Sequence, residues 1–131
     1  MSNFSFNEFE ERVKDSLVRH KSILDIITKL QESTSKVNRA IVKSATACGC
    51  VQICASKQDI PNEISYSELS SFLDSHISGS LCENCRDVVE TELGNHLFYV
   101  ASLCNVLDVN FESIVKKEYD KIGALGKYSL L

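Results

Sequence analysis

Six cysteines in a chain of 131 residues are the first feature that could do chemistry. Four of them form two close pairs, Cys48-Gly-Cys50 and Cys82-Glu-Asn-Cys85, each beside a turn next to a helical pattern. Zinc takes four ligands in a tetrahedron, and thiolates suit it well. A Cys-x-x-Cys pair at a helix start can turn both sulfurs toward one ion, and the free amide protons there stabilise thiolate charge. Gly49 removes a side chain that would crowd a metal between the first two cysteines. We therefore expect Cys48, Cys50, Cys82 and Cys85 to hold one zinc ion that clasps a loop to the start of a helix. Four cysteines leave no open coordination position, so the expected zinc is structural.

Two other readings of these residues stay open. Reduced cysteine often behaves as a small buried hydrophobe. Cys82 and Cys85 also have the spacing of a redox dithiol, although no βαβ pattern surrounds them. Cys54 lies near enough to the first pair to substitute as a ligand. Cys104 falls on an apolar helical stripe and reads as core.

The compartment bears on this choice. The stretch from Met1 to Glu8 has neither the basic start nor the apolar centre of a signal peptide. No segment approaches the roughly 20 apolar residues needed to span a bilayer. A cytoplasmic protein with no membrane association is expected, and disulfides are rare there. The net charge of −4, with lysine and arginine scattered, argues against an extended nucleic acid as partner. Nucleotides stay open as ligands, because a magnesium ion can supply the local positive charge.

The elements that would position the cysteines read as helices. Apolar and charged shares of 44% and 24% suit one ordinary globular domain over the whole chain, residues 1–131, rather than disorder. Ser5-Phe-Asn-Glu8 is a capping box, and Phe6, Phe9, Val13 and Leu17 continue it as a helix to about residue 19. Ile23, Ile26, Ile27, Leu30, Thr34, Val37 and Ile41 fall on one stripe of a longer helix, about residues 22–45. Val51 to Ala55 is too brief to assign, and the stretch around Pro61 reads as a loop. Ser65-Tyr-Ser-Glu68 opens a short helix through Leu69, Phe72 and Leu73, ended by Gly79. The third long helix follows Cys82, with Val89, Leu93, Leu97, Val100, Ala101, Cys104 and Leu107 as its stripe. Asn110 caps a last helix, for which Gly123 and Gly126 are stop signals. The expected fold is an all-α bundle of four to five helices carrying a zinc-clasped loop insertion.

Residues Glu90 to Asn105, with Glu-Leu-Gly-Asn-His-Leu-Phe inside, resemble the third-helix signature of the MazG-type nucleoside triphosphate pyrophosphohydrolases. Asp108 to Glu118 also looks like that family's final helix, and Lys29 to Lys43 occupies the place of its Glu-Glu-x-x-Glu helix. The resemblance covers the second helix and about residues 86–123; the cysteine pairs and the segment between them are no part of it. It implies an all-α fold, a homodimer, and clustered carboxylates that bind magnesium while water attacks a nucleoside triphosphate. Glu32 matches the first family glutamate, and Glu92 that of Glu-x-x-Asp. Ser33 and Lys36 stand where two further glutamates would be, and Asn95 replaces the aspartate. Magnesium wants several anionic oxygens, so the site implied is a weak one.

Glu32, Glu92, Asn95 and His96 are thus candidates for magnesium or substrate binding. Simpler readings stand beside them. Glu32 and Lys36 make an ordinary helix pair four residues apart, and a lone histidine is more often structural than a base or ligand. Neither His20 nor His76 has a recognisable partner. The functions to separate are nucleotide binding with slow hydrolysis at most, a non-catalytic zinc-stabilised interaction module, and a thiol redox protein.

Overall fold

The computed structural model describes residues 4–17 and 21–126. Two compact units emerge: Met1–Lys36 with Glu92–Leu131, and Val37–Thr91. The elements are α1 (Phe6–Ser16), α2 (Ile23–Lys43), a π-helical turn (Ser44–Cys48), β1 (Val51–Ile53), a 3₁₀ helix (Tyr66–Ser71), β2 (Ile77–Gly79), α3 (Glu83–Leu107) and α4 (Phe111–Leu125). The chain is broadly helical, as expected, but a two-stranded antiparallel sheet makes it not purely all-α. No single described helix is long and apolar enough to cross a membrane.

In the first unit the caps follow the sequence signals. Ser5 Oγ accepts the Glu8 backbone N–H at 3.1 Å, and Asn110 Oδ1 accepts the Ser113 N–H at 2.8 Å. Each satisfies an amide that would otherwise lack a helical partner. The first helix ends at Ser16 with Leu17 as its cap, and the rest of its expected span, with His20, lies outside the described residues. Val13, Leu17 and Ala101 form a small core, backed by Phe9 and Phe98. The α1–α4 contact combines rings and a charge. Phe6 and Phe9 pack on buried Phe111, with centroids 5.6 and 6.0 Å away. Glu10 Oε2 accepts the Phe111 N–H at 2.7 Å, placing a carboxylate on the positive end of α4.

Asp108 takes φ 56 after α3, a left-handed value that aspartate tolerates better than most residues. The Val109 N–H then closes back on the Cys104 carbonyl at 3.0 Å, satisfying one of the last free acceptors of α3. At the end of α4, Gly126 is the cap while Gly123 lies inside the helix, so only the second glycine acts as a stop.

Two apolar stripes differ from expectation. On α2 the buried residues are Ile26 and Ser33, whereas Ile27, Thr34 and Ile41 are exposed. Ile26 of the expected stripe is buried and Ile23, Leu30 and Val37 are half-buried, so that part of the stripe holds, and Ser33 joins it on the buried side. On α3, Val89, Ala101 and Cys104 are buried as expected, but Leu93, Leu97 and Leu107 are 45%, 47% and 56% exposed.

In the second unit α2 does not run on to residue 45 as a regular helix. It ends at Lys43 and widens into the π turn, whose last residue is Cys48. Gly49 then takes φ 83 and donates its N–H to the Ser44 carbonyl at 2.9 Å. The segment from Val51 proves to be a strand, paired Val51↔Gly79, Gln52↔Ser78 and Ile53↔Ile77. Gly79 is therefore not a helix stop. The short helix is 3₁₀, and Ser65 does not cap it by side chain: its Oγ bonds the Ser67 hydroxyl at 2.8 Å. Pro61 lies in an irregular stretch, as expected.

A candidate metal centre built on a short ribbon

The β1–β2 ribbon explains how two distant cysteine pairs meet. Cys50 directly precedes Val51, Cys82 follows Gly79 by three residues, and Val51 and Gly79 are partners. Pairing these strands therefore brings both cysteine turns to one end of the ribbon. Gly79 makes the close approach feasible. Its φ is 81, and a Cβ there would lie 2.6 Å from the Cys50 carbonyl oxygen. Any other residue would be strained by conformation and would push the strand carrying Cys50 away. Val51, which is buried, anchors the ribbon beneath this end.

The ligand atoms of Cys48, Cys50, Cys82 and Cys85 all lie within 4.8 Å of one another. Cys48 Sγ and Cys82 Sγ are 3.8 Å apart. That is the edge of a tetrahedron with metal–sulfur bonds of about 2.3 Å, the usual zinc–thiolate length. A disulfide would need about 2.05 Å, so these sulfurs are unbonded neighbours. All four are free cysteines; Cys48 is exposed and the other three are half-buried. The group can hold a metal ion, and no other cluster of metal-ligating side chains of this kind occurs among the described residues. Cys54 is not part of it. It follows β1 at the far end of the ribbon, where its N–H donates to the His76 carbonyl at 2.9 Å. Cys104 is buried, as its stripe predicted.

The electrostatics favour thiolate at one corner. The Cys85 N–H, at the start of α3, donates to Cys82 Sγ at 3.4 Å. That amide, with the Cys85 thiol, lowers Cys82 to about 7. The same sharing raises Cys85 to about 12, chiefly because its thiol hydrogen-bonds to Cys82, with burial adding to the effect. One negative charge is thus held readily and a second is opposed. A divalent cation removes that opposition by neutralising the accumulated thiolate charge. A lowered Cys82 is also what a redox dithiol would have, but here the pair belongs to a four-sulfur group.

The other candidates lie in the first unit. Glu32 is exposed and paired with Lys36 at 3.1 Å and Lys29 at 3.3 Å. The two lysines hold its carboxyl below the usual range, Lys36 contributing most. The helix pair expected from sequence thus forms. Asn95 is exposed, and Glu92 and His96 are half-buried. Glu92 Oε2 is buried without a hydrogen-bond partner.

His96 has a partner that spacing alone did not reveal: its Nδ1 lies 2.8 Å from Ser33 Oγ. Ser33 Oγ also lies 2.6 Å from the Leu30 carbonyl, which can only accept. A hydroxyl has one proton, so Ser33 donates to Leu30 and His96 Nδ1–H donates to Ser33. Neutral His96 therefore carries its lone pair on Nε2, and Ser33 is not poised as a nucleophile. The residue standing where the resemblance implies a glutamate is instead a buried hydroxyl that orients an imidazole.

His76, for which the sequence offered no partner, has an unusual setting. It holds φ 62, its N–H donates to Asp74 Oδ1 at 3.0 Å, and its Nε2 is buried without a hydrogen-bond partner. Asp74, two residues earlier, forms the Asx turn that leads into this conformation. Compared with known proteins, the chain matches no family model, no curated protein and no solved structure.

Proposed function

We propose that Cys48, Cys50, Cys82 and Cys85 hold one structural zinc ion, and that the chain is a zinc-stabilised helical module acting by binding. The observation that carries this reading is the four-sulfur group, with its 3.8 Å cross-pair spacing at the end of a ribbon. Thiolate ligands and tetrahedral spacing favour zinc over magnesium or calcium, which prefer oxygen. The zinc would fasten the π turn to the start of α3 in a unit with few buried apolar side chains. Titrating metal-free protein with zinc tests this. A one-to-one endpoint with a gain in thermal stability is expected; binding without any such gain would remove the structural role.

A second reading, favoured by the buried unpartnered oxygen of Glu92, is nucleotide binding at the face of Glu92, Asn95 and His96. It rests on the MazG resemblance, with magnesium accompanying the phosphates. Glu32 contributes little there, because two lysines already neutralise it. Binding of nucleoside triphosphates in magnesium that weakens in Glu92→Ala supports it; no binding across a panel of triphosphates removes it. Either reading includes a homodimer covering Leu93 and Leu97, whose side chains are half exposed. A monomer in sedimentation equilibrium at micromolar concentration would contradict that.

A further inference from the structure

We propose that Cys48 is an oxidant-entry site, where a hydroperoxide converts the zinc centre into a Cys48–Cys82 crosslink and expels the metal. This rests on the zinc reading above and adds a modification chemistry to it. Three observations converge. Cys48 is the exposed member of the group, the residue most open to a small oxidant in solvent. Its sulfur lies 3.8 Å from that of Cys82, across the two pairs. The sulfur of Cys50, two residues away in sequence, is instead engaged with the Ser44 carbonyl at 3.6 Å.

The movement required is small. Forming a bond of about 2.05 Å asks the sulfurs to close by roughly 1.7 Å. An added Cβ at Gly49 would meet nothing within 4 Å, so the turn carrying Cys48 is open on that side. Zinc keeps its cysteines deprotonated. The Cys48 thiolate attacks one peroxide oxygen, breaking the O–O bond to give a sulfenic acid and hydroxide. The Cys82 thiolate then attacks that sulfur, forming S–S and displacing a second hydroxide. Two sulfurs together lose two electrons and hydrogen peroxide gains them. Zinc, left with Cys50 and Cys85, departs. The crosslink joins the same two turns that the metal had joined, so the unit keeps its clasp, and a thiol reductant with zinc restores the original state.

The test uses the 131-residue chain with Cys54→Ser, loaded with zinc, its metal content measured before oxidant is added. Hydrogen peroxide is then titrated while a chromogenic chelator reports released zinc, and the product is mapped after trypsin. Cys48 and Cys50 fall in tryptic peptide 44–57 and Cys82 and Cys85 in peptide 58–86. The expected result is one zinc released per disulfide, with the two peptides joined through Cys48 and Cys82. Cleavage after Glu83 separates Cys82 from Cys85, and fragmentation distinguishes Cys48 from Cys50. A Cys82–Cys85 bridge inside peptide 58–86, or zinc retained at several equivalents of peroxide, overturns the proposal and leaves structural zinc intact. Protein that takes up no zinc before oxidant ends the metal reading and this proposal with it.

Discussion

Replacing Gly79 by alanine should damage the four-cysteine centre although Gly79 touches no sulfur. The new Cβ would lie 2.6 Å from the Cys50 carbonyl oxygen and 3.4 Å from Val51 Cα, and both obstacles are backbone. Alanine at φ 81 also enters the left-handed region, which costs roughly 1–2 kcal/mol. Relieving the overlap by moving the strand adds about 1–3 kcal/mol, typical of an overpacked site. A total of about 2–5 kcal/mol is equivalent to roughly 30- to 5,000-fold in zinc affinity. Gly49→Ala is the control, because Gly49 has φ 83 but nothing within 4 Å of a Cβ. It carries only the conformational cost, roughly 5- to 30-fold. Competition against a chelator of known zinc affinity, with urea unfolding alongside, measures both variants. Equal effects of the two substitutions, or a silent Gly79→Ala, would refute the claim that ribbon spacing sets the sulfur geometry.

Other consequences can be measured separately. In metal-free protein, Cys82 should alkylate with a midpoint near pH 7 while Cys85 stays slow well above it, read by isotope-coded mass spectrometry. Because Cys82 is lowered on folding, its thiolate stabilises the fold above the ordinary thiol range near ~8.5 and that contribution fades as pH falls through about 7. Indistinguishable alkylation profiles for the two cysteines would contradict this arrangement. Glu10→Ala should cost about 1.5–3 kcal/mol in urea unfolding by removing the acceptor for the Phe111 N–H, with Glu10→Gln milder; no change in either would dismiss that contact. Nitrogen-15 NMR of the imidazole should find neutral His96 protonated on Nδ1, and protonation on Nε2 would contradict the Ser33 assignment. Lys36→Ala should leave the melting temperature nearly unchanged, since its bond to Glu32 is exposed, and a large drop would mark a hidden role.

Much of the centre was legible because zinc ligation has a local spacing signature, and Cys48, Cys50, Cys82 and Cys85 do converge. The helix caps at Ser5 and Asn110 were legible for the same reason, since side chain and amide lie within one turn. The ribbon was not. Its strands have three residues each, too short for alternation to register, and are joined by a long segment that carries the 3₁₀ helix. Gly79 looked like a helix stop because glycine marks several kinds of backbone, and only the strand opposite it reveals which one applies. The Ser33–His96 contact joins residues 63 apart, and no periodicity encodes it. Leu93 and Leu97 fit the apolar repeat of α3 yet remain half exposed, because periodicity marks a face without naming what covers it.

The most direct measurement is metal content and zinc-edge X-ray absorption on protein purified without added metal or chelator. One zinc per chain, surrounded by four sulfurs at about 2.3 Å, is the predicted result. Native protein without zinc, or zinc bound mainly through nitrogen and oxygen, would contradict a four-cysteine centre.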